Sequence, residues 1–273
     1  MLIKNLSRIF KIFLLFVISD LSAQTNCNPK FFPFQAGEEV IYDIEYLMGK
    51  TWVTAGKVRF KVEDSIFQKI KCLYIEGKGR TLKNYDWFFR VRDKYSTFIS
   101  KETSLPIHFT RNVREGDFHL DYNYDFDYIK NKAFITEFSR KKKSKDTIDI
   151  ISCSFDIMSS VYYSRAINFD SYNYNDTIPL NIILDKQVFE NLNIIYKGKE
   201  VVINQNKKKI NCIHFQIKLI EGTIFKADET MDVFVSDDDN RVPIYVEGQI
   251  IVGAVRVFSK SIKGTKVPVK YLN

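Results

Sequence analysis

From Phe34 almost to its C-terminus the sequence alternates apolar and polar residues with a period of two, and this rhythm restricts what the chain can fold into. Val40-Ile41-Tyr42-Asp43-Ile44-Glu45-Tyr46 and Val58-Arg59-Phe60-Lys61-Val62-Glu63 place apolar side chains on one face and polar ones on the other. Runs around Ile107–Thr110, Phe118–Phe126, Ile213–Leu219, Met231–Val235 and Ile250–Phe258 repeat the pattern. A strand points successive side chains to opposite faces, so each run reads as a half-buried strand. Aromatic and β-branched residues fill them, which suits a pleated surface packed on one side. Many short strands of this kind predict an all-β fold, a large antiparallel curved sheet built as a half-open barrel or a sandwich.

One stretch has a different period. Phe155, Met158, Val161, Tyr162 and Arg165 recur at helical spacing, which predicts one inserted helix near residues 154–166. Ser152 or Ser154 is the expected N-cap, with Asp156 in the first turn, where the helix dipole favours an anion. The apolar stripe of such a helix must dock on the sheet or plug the end of a curved barrel. No Gly/Pro/Ser-rich linker divides the rest, so residues 34–273 read as a single β-rich domain preceded by a short extension, 24–33.

The N-terminus carries an address. Lys4, Arg8 and Lys11 precede an apolar run from Ile12 to Ile18, and Leu21-Ser22-Ala23 ends on a small residue. That order is the one export machinery reads, so residues 1–23 read as a signal peptide. The run is shorter than the roughly 20 residues a spanning helix needs. The expectation is therefore a soluble periplasmic protein with no transmembrane segment after signal cleavage. Cys27 follows Gln24-Thr25-Asn26, which lacks the apolar and small residues expected before a lipid-modified cysteine.

The formal charge of +8 is spread along the chain. Its densest runs, Arg140–Lys143 with Lys145 and Lys207–Lys209, lie between strand-like segments and read as solvated turns. A basic patch toward anionic headgroups or a polyanion is the alternative. Nucleic acid is not expected as a partner, since export removes it and no recognition motif occurs.

Four cysteines, Cys27, Cys72, Cys153 and Cys212, would meet an oxidising compartment. Cys72 and Cys212 both sit in strand-like runs. They are candidates for a cross-strand disulfide, or for two buried free thiols. No CxxC supports zinc or thioredoxin-like chemistry. His108, His119 and His214 lie in separate runs with no second ligand at metal spacing, and no metal or other cofactor is expected. Asp237-Asp238-Asp239-Asn240 lacks the glycine and distal glutamate of a calcium loop and reads as a turn. No nucleophile elbow, zinc-protease motif or phosphate-binding glycine loop is present, so catalysis is not expected.

Three segments carry a further pattern. Phe34-x-x-Gly37-Glu38-x-Val40-x-Tyr42 opens the domain, and Asp156-Ile157-Met158-Ser159 with Tyr162 and Arg165 marks the helix. Val233-Phe234-x-Ser236-Asp237-Asp238-x-Asn240-Arg241-Val242-Pro243, with Gly253, closes it. Together they resemble the DUF3108 family of exported bacterial proteins, and the Ser-Ala-Gln end of the leader looks like those of Bacteroidetes. The resemblance implies a mostly antiparallel, curved β structure in the cell envelope, similar to the half-open barrels of periplasmic lipoprotein carriers. It carries no catalytic residue with it.

Read physically, these motif residues are structural. Gly37 and Gly253 fit a turn and a close strand approach. Asp156 and Arg165 are candidates for buried or semi-buried ion pairs that fix the helix on the sheet. Arg165 and Arg241 are each candidates to pair with Asp237 or Asp238. The functional expectation is non-enzymatic binding of a lipid or another lipophilic, envelope-derived ligand in an aromatic-lined concavity. The alternative is a structural or interaction module that contacts an envelope protein.

Overall fold

The computed structural model describes residues 32–87, 89–140, 143–219, 229–250 and 253–272. The leader, Cys27, Lys141 and Lys142 lie outside them. Among the described residues, strands β1 (Glu39–Met48), β2 (Thr51–Phe67), β3 (Ile70–Thr81), β4 (Arg92–Ser100), β5 (Pro106–Glu115), β6 (Phe118–Asp127), β7 (Lys132–Ser139) and β8 (Lys143–Asp149) follow as a meander. A short strand β9 (Ser154–Asp156) leads into helix α1 (Ile157–Arg165). Then come β10 (Thr177–Ile178), β11 (Asn181–Leu184), β12 (Gln187–Phe189), β13 (Ile194–Ile203) and β14 (Lys209–Lys218). The last three strands are β15 (Thr230–Ser236), β16 (Pro243–Gln249) and β17 (Ala254–Lys263).

Fourteen of these strands form one antiparallel sheet in the order β10-β13-β14-β15-β16-β17-β1-β2-β3-β4-β5-β6-β7-β8. The first long strand therefore pairs with the last, β1 against β17, in the middle of the sheet. β8 and β10 are its two edges, so the sheet curves without closing. Register shifts at Ile41/Tyr42, Ile44/Glu45, Phe98/Ile99, Tyr196/Gly198 and Phe234/Val235 supply bends. A bulge adds a residue on one strand only and so increases local twist and curvature.

The period-two pattern sets the two faces. Val58, Phe60 and Val62 of β2, Ile75 of β3, Ile99 of β4, Phe109 of β5, Tyr124 of β6 and Ile135 of β7 line the concave side. Helix α1 and the small sheet β12-β11-β9 fill the concavity, with Met158, Tyr162, Ile183 and Val188 packed against those strands. A second cluster joins Phe155, Phe169, Ile194, Phe215 and Val233 at the C-terminal half. The helix is thus not an ornament on the surface but the plug of a curved sheet.

Cys72 and Cys212 are both buried free thiols, not a disulfide pair. Cys72 lies on β3 opposite Ser65 and Ser100, and Cys212 on β14 opposite Glu200 and Ser236. Five strands separate β3 from β14 in the sheet, so the two are not cross-strand neighbours. Burial pushes the Cys212 thiol up to about 12, which suppresses its thiolate and its reactivity. Cys153 is disulfide-bonded, with its other half outside the described residues. Alkylation under denaturing, non-reducing conditions followed by peptide mapping is expected to label Cys72 and Cys212, and to label Cys153 only after reduction. A Cys72–Cys212 linked peptide would contradict the structure.

Candidate functional site

The helix owes its position to two buried charged groups, one at each end. At its N-terminus Asp156 has extended backbone geometry and caps the helix: its Oδ1 accepts from the backbone N–H groups of Met158 (2.8 Å) and Ser159 (2.9 Å). Its Oδ2 accepts from Ser159 Oγ and Thr97 Oγ1, each at 2.8 Å, so the cap also ties α1 to β4. The sequence pointed to Ser152 or Ser154 as the cap. Ser154 instead pairs with Asn181 in the small sheet, and the carboxylate takes the orphan donors. Burial drives the Asp156 carboxyl up to about 6, against the hydrogen bonds that favour its charged form.

At the other end Arg165 is 2% exposed and meets Glu38, 1% exposed, through two bonds of 2.6 and 2.9 Å. The guanidinium also donates to the carbonyl of Asn240 from Nε (3.1 Å) and Nη2 (2.8 Å), and to that of Pro33 (3.4 Å). The rings of Tyr162 and Phe34 flank it at 5.1 and 5.4 Å. Burial alone would pull its pKa down, but Glu38 holds it above the ordinary arginine value. Such a pair offsets its large desolvation cost only when most donors and acceptors are satisfied. Here they are.

The 236–243 segment completes the anchor. Asp238 Oδ1 accepts from Ser236 Oγ (2.8 Å) and from the N–H groups of Asn240 (2.9 Å) and Arg241 (3.2 Å), an aspartate-built turn. Val242 N–H donates to Ser236 Oγ at 2.9 Å. The Asn240 side chain bonds both backbone groups of Val267, at 2.8 and 3.1 Å, and Arg241 donates to the carbonyls of Ile167 and Arg165. Pro243 sits opposite Val235 at a register shift, where no ladder donor is required of it. Tyr42 is buried edge-on against Phe60 (5.8 Å), and burial drives its phenol far above the ordinary range.

Gly37 has φ of 95°. Gly253 has φ of 87°, and a Cβ there would stand 2.8 Å from the carbonyl oxygen of Leu47.

One expected pairing is corrected. Arg165 does not pair with Asp237 or Asp238; a buried guanidinium needs a carboxylate in the same dry volume, and that is Glu38. Asp237 is more exposed and is held by Lys199 at 3.0 Å. Of the two helix residues expected to form buried ion pairs, Arg165 does so with Glu38, whereas Asp156 is held by hydrogen bonds from Thr97, Met158 and Ser159.

The structure then separates two concavities. Beside α1 the aromatic side chains pack closely: the cavity among Phe32, Phe34, Ile99, Ser159, Tyr162 and Tyr163 measures about 10 Å³. That is room for one water and not for an acyl chain. On the outer face of β2, β3 and β4 lies a roomier groove of about 500 Å³ walled by Lys57, Arg59, Lys78, Arg80, Arg92 and Lys94. In register, Lys57 faces Arg80 and Arg59 faces Lys78, while Lys78 faces Lys94 and Arg80 faces Arg92.

Like charges directly opposite on adjacent strands repel, at roughly 0.2–1 kcal/mol per pair. Glu76 compensates Lys78 (2.6 Å) and Lys94 (3.0 Å), Glu39 holds Arg59 (2.5 Å) and Asp86 holds Arg92 (2.6 Å). Lys57 is 3.9 Å from Asp43, which also binds Lys260. The Arg80 side chain is exposed and has no ion pair or hydrogen bond among the described residues. The groove is therefore an incompletely neutralised lattice of cations, suited to an anion.

Sequence reasoning by local charge density missed these six residues. The doublets Lys57-x-Arg59, Lys78-x-Arg80 and Arg92-x-Lys94 were the available signal, since residues two apart on a strand share a face. His108 bonds Asp125 (2.7 Å), and His214 lies between Glu200 (2.9 Å) and Asp232 (2.8 Å) while stacking on Phe234. Among the described residues no cluster of three or more His, Cys, Asp or Glu forms a metal site.

Two outcomes test the anchors. Arg165→Met is expected to destabilise by about 3–5 kcal/mol in urea denaturation, because it leaves Glu38 charged and dry. Adding Glu38→Leu to it should cost less than the sum of the single changes. For Asp156 the folded pKa is raised, so between 3.8 and about 6 the folded state holds more protons and stability falls as pH rises. Asp156→Asn keeps the cap and removes the titration, so the difference in melting temperature between wild type and variant should change across that window and be flat above it.

Comparison with solved structures places the fold among barrel-like proteins. A crystal structure of a beta-barrel-like protein of domain of unknown function DUF1849 from Brucella abortus matches with a TM-score of 0.54 and 8% identity. The match covers 83% of this chain and 96% of that one, and shows a shared fold. A search of curated proteins by sequence returned no match. The family model described as "Protein of unknown function (DUF3108)" matches residues 41–259, a span that runs from β1 into β17 and takes in the capped helix and the aspartate turn. The chain belongs to the DUF3108 family.

Proposed function

We propose that this protein is an exported, non-enzymatic binding protein of the cell envelope, and that it takes an anionic, envelope-derived ligand at the outer face of its sheet. The basic groove carries this reading. Its volume of about 500 Å³ falls within the range of small-molecule sites, and six cationic side chains converge on it. Ile41, Val58, Gly79 and Asp93 complete its lining, so an anion would lie against the strands among the cations.

The leader-like residues 1–23 support export to the periplasm. Among the described residues no helix is long and apolar enough to cross a membrane. A lipophilic ligand remains compatible with the groove if its charged end does the binding. An acyl chain inside the curved sheet would require α1 to leave, and the Glu38–Arg165 pair opposes that.

Titration with glycerol phosphate and inorganic pyrophosphate by calorimetry tests the reading. Binding that weakens with salt, and weakens further in Lys57→Gln with Arg80→Gln, is the expected result. Binding of neither anion at low salt would refute it. Mass spectrometry of organic extracts from natively purified protein then reports whether the natural ligand is a lipid.

A further inference from the structure

We infer that the groove and the rim beside it form a docking surface for an anionic lipid bilayer, an inference that rests on the anion-binding reading above. The rim is the connection between β3 and β4. It carries Trp87, 83% exposed, and Phe89, 49% exposed. Next to it the β5–β6 turn begins β6 with Phe118, 53% exposed. The two connections touch, since Gly116 N–H donates to Arg90 O at 2.8 Å and the Phe89 ring lies close to Gly116.

This rim is continuous with the groove. Asp86, one residue before Trp87, is held by Arg92 of the groove wall through bonds of 2.6 and 3.0 Å and accepts from Thr81 Oγ1 at 2.6 Å. Thr81 and Leu82 bond back to Val91 and Ala55, so the loop that presents the aromatic side chains is anchored at its base. Arg80 and Arg92 occupy the last positions of the cation lattice before the loop.

Large exposed aromatic side chains beside clustered cations fit one surface better than any other. Aromatic side chains, Trp and Tyr above all, favour the headgroup level of a bilayer, and Lys and Arg are attracted to anionic headgroups within a Debye length. Neither signal alone gives stable attachment, whereas an apolar insertion plus a basic patch does. The groove would hold a phosphate-bearing headgroup of the bilayer while Trp87 and Phe89 enter its acyl boundary. The basic runs at Lys207–Lys209 lack such a rim: Lys208 packs over Tyr271 at 4.6 Å in an exposed turn.

Co-sedimentation of the mature chain with vesicles tests this. Binding is expected to vesicles of equal phosphatidylcholine and phosphatidylglycerol and not to phosphatidylcholine alone, and to be lost at high salt. Arg80→Gln, at an exposed side chain without ion pairs, should weaken partitioning about fivefold. Trp87→Ser should weaken it too, and Lys208→Gln should leave it unchanged. In a Trp52→Phe background, the remaining Trp87 emission should shift to the blue on binding.

Equal affinity for both vesicle types, or binding that neither Arg80→Gln nor Trp87→Ser alters, would overturn the inference. If glycerol phosphate binds in the groove and mixed vesicles do not, bilayer docking fails and the anion-binding reading stands. If neither binds, both fall.

Discussion

The bidentate bond between Arg165 and Glu38 holds the rest of this structure in place. Glu38 stands just before β1, Arg165 ends α1, and Asn240 sits in the turn between β15 and β16. One guanidinium thus ties together the middle of the sheet, the plug in its concavity and the C-terminal hairpin. Two charges this dry are costly to bury, and hydrophobic side chains of the same volume often stabilise as well or better. What the pair supplies instead is a fixed geometry. The orientation of the fork and the flanking rings of Tyr162 and Phe34 allow the helix end one seat.

With the plug fixed, the inside of the curved sheet is core, and the face on which we propose that binding occurs is the outer one. This inverts the ordinary expectation for a half-open barrel, in which the concavity receives the ligand. The aromatic residues that crowd the sequence pack on one another: Phe34 on Tyr162, Phe109 on Tyr124, and Phe169 on Phe215. The paired cations lie instead on the outer face, where strands two and three carry them at matching registers.

Much of this was legible in the sequence, and the illegible part has a physical cause. Period-two runs revealed the strands and a change of period revealed the helix, because both are local properties of the chain. The motif residues Glu38, Arg165 and Asn240 were visible as residues, but not as one cluster: their separations of 127 and 75 positions carry no local trace. The same limit misassigned Arg165 to the aspartates near Arg241 and left Cys72 and Cys212 open as a pair. Choosing between them required the strand order. The basic groove failed for a subtler reason. Its cations are not dense along the chain, and only alternation combined with cross-strand register brings Lys57, Arg80 and Arg92 into one row.

The seam between β1 and β17 has a consequence for how the molecule is made. Residues near 40 find their partners near 260, so a chain emerging from its N-terminus cannot finish the sheet until β17 is free. Until then β1 can use β2 alone, and apolar strands stand open on one side. Long-range strand pairing of this sort is slow and leaves sticky edges waiting. Loss of β17 as a whole would remove no residue of the groove, yet it would strip β1 of one neighbour and split the sheet at its centre.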